Sequence, residues 1–261
     1  MTKICQLLSS WPAGAVGVQP WLESKEIYRQ LTKHYADHGW LTKIGGGAYV
    51  RSGEKVTWQG GIYALQQGLE LPLHIGGLTS LELLGQAHFI PMGTRKLYLF
   101  AHSRHVPRYL PKWFLGLGQV SANYIPTLLF SSNVGLTDFN CGTFKIQISA
   151  MERALFELLS LVPDKTTFDH ACLLMQYQNL LRADVVQQLL QECRSQTLKR
   201  LFLHLARKFN LDCLSRLNLK SIDLGRGVRH IGQGQVYDPD LKLYVPTIND
   251  DIENNVEVPD V

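Results

Sequence analysis

Apolar positions along the first fifty residues recur at helical spacing and then switch to strand-like runs. Ile4, Leu7 and Leu8 mark one face of a short helix over 3–9. Trp11-Pro12-Ala13-Gly14 interrupts it. A second short helix opens over 18–22, with Pro20 in its first turn, where the missing N–H is not needed. Ile27, Leu31 and Tyr35 predict a third helix from about 27 to 38, closed by Gly39. Residues 40–44 and 48–51 then read as two strands. Gly45-Gly46-Gly47 turns between them, and Ser52-Gly53 closes the hairpin. Three short helices followed by a glycine-turned hairpin is the order of a winged helix-turn-helix.

The pattern continues with a helix over 62–67, a strand over 72–75 and a helix over 79–84, where Thr79 and Glu82 have the spacing of a capping box. A strand follows at 96–100. Residues 101–126 are rich in Pro, Gly and aromatics and predict a loop-rich connection. Strands are expected at 128–130 and 144–148, and helices at 150–161, 168–180, 184–193 and 196–209. In the last of these Leu198, Leu201, Phe202, Leu205 and Phe209 share one face, which sets Lys199, Arg200, Arg207 and Lys208 away from it. One or two edge strands at 235–245 are broken by Asp238-Pro239. The expected fold class is α+β. A winged helix-turn-helix with a helical extension spans 1–92, and a mixed α/β domain spans 93–261 and ends in an acidic tail.

Charge sharpens this picture. The net charge of +4 is unremarkable, but its distribution is uneven. Between 194 and 230, Arg194, Lys199, Arg200, Arg207, Lys208, Arg216, Lys220, Arg226 and Arg229 face only Asp212 and Asp223. Residues 1–110 also carry an excess of bases, whereas the tail from 238 is acidic. Two basic regions fit a polyanion partner, and they equally fit a solvated basic face. The five cysteines are widely scattered, which argues against a disulfide framework or a zinc site and reads as buried apolar positions. The opening Met1-Thr2-Lys3-Ile4-Cys5-Gln6 lacks the apolar core of a signal peptide, and no apolar run approaches the roughly 18 residues of a membrane span, so the expected compartment is the cytoplasm.

A helix-turn-helix works because its second helix fits the major groove, about 12 Å wide, and presents polar or basic residues there. On the third helix these are Arg29, Gln30 and Lys33, with Tyr28 at its start. Arg grips guanine and Gln grips adenine bidentately, so Arg29 and Gln30 are the base-reading candidates. Lys25, Lys33, Lys43 and Arg51 suit phosphates, which fix register without reading sequence. The same unit also serves as a protein-interaction module elsewhere, and two outward bases on a helix are common. Lys199, Arg200, Arg207, Lys208, Arg226 and Arg229 form a candidate second basic surface, for DNA beside the operator or for RNA.

Other constellations are weaker. His34 and His38 sit four apart, but the glutamate of a zinc-protease helix is missing, since Tyr35 follows His34. Gly225-Arg226-Gly227-Val228-Arg229-His230 lacks the Gly-Lys-Ser/Thr of a phosphate loop and reads as a basic turn. Glu152, Arg153 and Glu157 share one helix, where Arg153 suits a structural ion pair. No nucleophile-elbow motif occurs. No catalytic residue, metal or cofactor is expected.

Three groups of residues together carry a resemblance. The first is Leu7-Leu8-Ser9-Ser10-Trp11-Pro12, Trp21-Leu22 and the run from His38 to Arg51. The second is Trp58-Gln59-Gly60-Gly61 with Leu73-His74-Ile75-Gly76-Gly77-Leu78-Thr79. The third is Glu152-Arg153-Ala154-Leu155-Phe156, Ile222-Asp223-Leu224-Gly225-Arg226-Gly227 and Tyr244-Val245-Pro246. In this order, from about 3 to 247, the chain resembles the AbiEi antitoxin family. The resemblance implies a winged helix-turn-helix and a C-terminal antitoxin domain. It also implies repression of the chain's own operon at inverted repeats in duplex DNA, and neutralisation of a nucleotidyltransferase-like toxin without a stable complex. The alternatives are an antitoxin that binds its toxin directly and a DNA-binding regulator without a toxin. One departure stands out. Family members often carry Gly-Ile-Ser at the helix-turn-helix turn, where this chain has Glu26-Ile27-Tyr28. That removes a permissive glycine and a small N-cap, and sets a carboxylate near phosphate.

Overall fold

The structure, a computed structural model, describes residues 2–86, 95–102, 106–118 and 120–247. The expected boundary at 92/93 and the acidic residues beyond 247 lie outside the described residues. In chain order the elements are α1 (Lys3–Ser10), β1 (Gly17–Val18), α2 (Gln19–Ser24), α3 (Arg29–Asp37), β2 (Leu41–Gly45), β3 (Ala48–Arg51) and α4 (Trp58–Tyr63), which runs on as a π-helical turn over Ala64–Gly68. Then come β4 (Leu73–Ile75), α5 (Gly77–Leu83), β5 (Arg95–His102), α6 (Lys112–Leu115), β6 (Val120–Thr127), β7 (Leu136–Asn140) and β8 (Lys145–Ser149). The chain continues through α7 (Met151–Leu159), α8 (Phe168–Gln176), α9 (Ala183–Glu192), α10 (Gln196–Lys208), β9 (Arg229–His230), β10 (Val236–Asp238) and β11 (Leu243–Val245). The fold is α+β, and its described residues group into two compact units.

The first unit draws on residues 1–75, 91–127 and 137–148. Its N-terminal part is α1–α3 followed by the β2–β3 hairpin, with β1 added to make a sheet of order β1-β3-β2. Pro20 occupies the first turn of α2, and Gly39, at φ +75°, follows the end of α3. These are the two punctuation marks that the sequence offered. The core below is Leu7, Trp11, Val18, Leu22, Ile27, Tyr35, Leu41 and Val50. The glycines of α4 are there for contact. A Cβ on Gly60 would stand 2.0 Å from the Gly14 carbonyl oxygen, and one on Gly61 would stand 2.5 Å from Leu117. The helix packs closely because those positions are bare. The second sheet of the unit has the order β6-β5-β4-β8-β7, with β4–β5 antiparallel and β5–β6 and β4–β8 parallel.

Several expectations fail here for identifiable reasons. The connection at 101–126 contains α6 and the eight-residue strand β6, whose parallel pairing with β5 is non-local and leaves no clean alternation in the sequence. Residues 128–130 do not form a strand, while β7, which the pattern did not announce, does. Thr79 is not an N-cap. The α5 helix starts at Gly77 after Gly76, and Thr79 is buried inside it.

The second unit draws on residues 76–90, 128–136 and 149–261. Its centre is α7, in which every residue after Met151 is buried, charged ones included. A helix buried all round is a core helix. Phe156 stacks on Phe202 of α10, with centroids 4.4 Å apart and planes 13° apart. Burial on this scale leaves three polar side chains of α7 to be satisfied from within. Glu157 accepts from the Ser149 hydroxyl at 2.7 Å, from the Gly77 amide at 3.1 Å and from Arg153 Nε at 3.0 Å. Arg153 also donates to the carbonyls of Ser132 and Val134 and lies over the Phe130 ring. The expected structural pairing of Arg153 is thus found. Glu152 accepts two bonds from the Arg182 guanidinium and one from the Arg182 amide, each 2.9 Å.

Burial alone would push the Glu152 carboxyl up, but the Arg182 bonds outweigh it and hold the group below the usual carboxylate range. Asp238 follows the same balance, with His204 at 2.7 Å as the opposing partner. Both groups therefore bind protons more weakly in the folded than in the unfolded chain. Their stabilisation is complete above the ordinary carboxylate pKa and is lost as pH falls toward the depressed value. Acid titration followed by far-ultraviolet circular dichroism should show the second unit losing structure below about pH 4. Glu152→Gln should remove part of that pH dependence. An unchanged acid profile would sink this assignment.

The cysteines are all free. Cys172, Cys193 and Cys213 are buried as expected, and desolvation pushes the Cys172 thiol up to about 12. Cys141, which is half-buried, and Cys5 depart from the expectation. Cys5 lies on the open side of α1 and is exposed.

Candidate nucleic-acid interface

The turn between α2 and α3 carries Glu26-Ile27-Tyr28, and the backbone shows how the chain accommodates it. Glu26 adopts φ +59°, the left-handed region that favours glycine, and its amide donates to the Glu23 carbonyl. Ile27 at 1% exposure anchors the turn in the core. Tyr28 takes the N-cap position of α3 with no side-chain cap bond, and its ring is 65% exposed. The turn geometry is thus kept at a local energetic cost. Glu26→Gly should stabilise the first unit by up to about 1 kcal/mol, because relief of the left-handed strain exceeds the glycine's entropy cost. The exposed Lys3–Glu26 pair at 3.3 Å that is lost with it contributes little. Thermal unfolding monitored by tryptophan fluorescence would check this, and a lower midpoint in the variant would refute it.

From α3 the side chains of Arg29, Gln30 and Lys33 are exposed, as is Lys43 on β2. Arg29 and Lys33 line one open groove of about 1060 Å³ together with Asp37, Thr42, Lys43, Gly46, Gly47 and Ser52. The groove thus runs from the outer face of α3 to the tip of the hairpin. Arg29 is 86% exposed and only loosely paired with Glu23, at 3.8 Å. The hairpin tip is held in place. Gly45, Gly46 and Gly47 take φ of +127°, +45° and +77°, and Trp113 packs on the first two. The Gly47 carbonyl accepts from the Gln19 amide at 2.8 Å.

The other sequence candidates sit differently. Lys25 lines a separate recess with Lys3, Ser24 and Glu26. Arg51 is half-buried and braces the hairpin, with Nε 3.0 Å from Glu54 and a bond to the Trp11 carbonyl. Asp37 was not singled out, although it falls four residues after Lys33 and eight after Arg29, on the same helical face. It places one carboxylate in the groove. The His34 and His38 rings meet at a tilt of 44° with centroids 4.0 Å apart, and His38 Nδ1 donates to the His34 carbonyl. Among the described residues no group of histidine, cysteine and carboxylate side chains could hold a metal ion.

The second basic region reads differently in three dimensions. Lys199 and Arg200 are 5% and 1% exposed, so they do not stand on an outer face of α10. Arg200 donates to the carbonyls of Leu224, Gly227 and Lys242, and Lys199 to that of Asp223. The segment 222–227 wraps these two cations with its backbone. Gly225 is pressed against Gln196, where a Cβ would meet the amide at 2.1 Å. Arg207, Lys208 and Arg226 remain exposed, Arg207 beside Asp240, and Arg229 is half-buried against Gln196.

Comparison with known proteins places this fold in the class of transcriptional regulators. Residues 1–92 match the N-terminal domain model of the AbiEi antitoxin transcriptional regulators. Residues 94–246 match the model described as transcriptional regulator, AbiEi antitoxin, type IV toxin–antitoxin system. The chain belongs to this AbiEi family. The Rv2827c protein of Mycobacterium tuberculosis has a similar fold, with a TM-score of 0.50 and 14% identity over 92% of this chain and 88% of that one. No curated protein matches the chain. Among the described residues no helix is long and apolar enough to cross a membrane.

Proposed function

We propose that the chain represses its own operon, binding inverted repeats in duplex DNA through α3 and the β2–β3 hairpin. We also propose that it antagonises a nucleotidyltransferase-like toxin without forming a stable complex with it. In this reading residues 1–92 carry the DNA contact, residues 93–261 carry the neutralisation, and the protein acts by binding rather than by catalysis. The observation that supports the DNA contact best is the groove in which Arg29, Lys33 and Lys43 meet the hairpin glycines. Arg29 and Gln30 would read base edges, and Lys33, Lys43 and Lys25 would hold phosphates beside Tyr28. Arg51 supports the hairpin that brings Lys43 to the backbone. Inverted repeats call for two copies, one per half-site, about 34 Å apart or a multiple of that.

The test is binding to a labelled fragment of the chain's own upstream region under excess competitor DNA and a salt titration. Selective binding that weakens steeply with salt is expected. Absence of selectivity at moderate salt would turn the N-terminal part into a protein-interaction module. Size-exclusion chromatography with the toxin encoded beside it should show separate peaks. Co-elution would replace the second half of the proposal with direct binding.

A further inference from the structure

The small sheet of the second unit carries a row of aromatic rings that neither the core nor the duplex contact uses. Its strand order is β10-β11-β9. Leu243 and Val245 of the central strand point inward and are buried, at 0% and 2% exposure. Tyr244, between them, points the other way. In register with it stand His230 on one edge strand and Tyr237 on the other. The His230 and Tyr244 rings stack with centroids 4.6 Å apart and planes 3° apart, and Tyr237 stands 4.7 Å from Tyr244. His230 is exposed and Tyr237 is 42% exposed. The Tyr237 ring is tilted 34° from that of Tyr244.

The charges around this row favour an anion. Arg226 and Lys242 are exposed, whereas Arg229, in register with the buried Leu243, turns inward onto Gln196 and is not part of this surface. Asp238 at the end of β10 and Asp240 in the turn after it are matched by His204 at 2.7 Å and Arg207 at 3.5 Å. A stacked His230–Tyr244 pair with the tilted Tyr237 ring beside it, on a sheet that also carries the exposed Lys242, has the chemistry of a platform for unpaired bases on a phosphate backbone. A duplex buries its base faces in its own stack and could not use it. We propose that the His230–Tyr244–Tyr237 row is a binding site for single-stranded nucleic acid, with one base extending the stack at His230 and another at Tyr237. This site is separate from the α3 groove and does not depend on the operator reading.

The experiment uses the full chain and a twelve-nucleotide oligoadenylate carrying one 2-aminopurine, made as RNA and as DNA, under excess unlabelled duplex. Binding with quenching of the 2-aminopurine fluorescence is expected for at least one of the two strands, and their ratio assigns the natural ligand. His230→Leu with Tyr237→Leu keeps apolar bulk but removes the π-faces. It should abolish the quench and weaken binding about tenfold or more. Tyr237→Phe should retain both, and Arg29→Ala with Lys33→Ala should leave both unchanged. If circular dichroism shows the leucine pair unfolded, Arg226→Glu with Lys242→Glu, both on exposed side chains, should weaken binding by the same margin. No binding under excess duplex, or a quench that persists in the folded leucine pair, would overturn the site.

Discussion

Arg153→Met is expected to destabilise the second unit by about 3–5 kcal/mol, the range for breaking a buried ion pair from one side. The guanidinium and the Glu157 carboxylate are 8% and 1% exposed at the side chain. Removal of the arginine leaves a charge that water cannot reach, held by Ser149 and the Gly77 amide, and strips two donors from the Ser132 and Val134 carbonyls. Arg153→Met combined with Glu157→Met should recover part of the loss, since an apolar pair of similar bulk carries no buried charge. The chain supplies its own way to localise the effect. Trp11, Trp21, Trp40, Trp58 and Trp113 all belong to the first unit, so tryptophan fluorescence follows that unit. Helical circular dichroism also reports α7–α10 of the second. Urea unfolding of the variant should shift the circular dichroism transition to lower denaturant, with the fluorescence transition as the internal reference. A shift worth less than about 1 kcal/mol would mean that water reaches the pair.

The elements that the sequence made legible are those fixed by local rules. Periodicity and the Pro20 and Gly39 signals located α2 and α3 to within about two residues. The triple glycine located the hairpin, and its reason is the backbone: all three residues of the turn take positive φ. What stayed hidden depended on residues far away in sequence. Nothing near Lys199 and Arg200 says that carbonyls from 223–227 and 242 will surround them. On a helical wheel they look like the solvated edge of an amphipathic helix, as Arg207 and Lys208 are. The Glu26-Ile27-Tyr28 turn is the opposite case. The sequence flagged it as unsuitable, and the fold imposes the left-handed conformation on Glu26 anyway because Ile27, the next residue, is locked in the core.

The same distinction between local and imposed features separates two substitutions on α3 that look alike in charge. Arg29 is nearly free of partners and lies at the first turn of the helix, the part that a recognition helix points at base edges. Arg29→Ala should therefore cost about 1–3 kcal/mol on the operator, a loss of roughly 5- to 150-fold, and much less on unrelated duplex. Lys33 lies one turn further along and lines the same groove as Lys43; in the proposed reading its flexible ammonium would meet phosphate. Lys33→Ala should weaken operator and unrelated DNA by similar factors and reduce the slope of log K against log salt by about 1. Asp37 sharpens the comparison, because its carboxylate lines the same groove. Asp37→Asn should strengthen binding to both DNAs and leave their ratio alone. If instead Arg29→Ala lowered both affinities equally, Arg29 would be another phosphate contact. Base reading would then pass to Gln30, and α3 would have to lie at a different angle in the major groove.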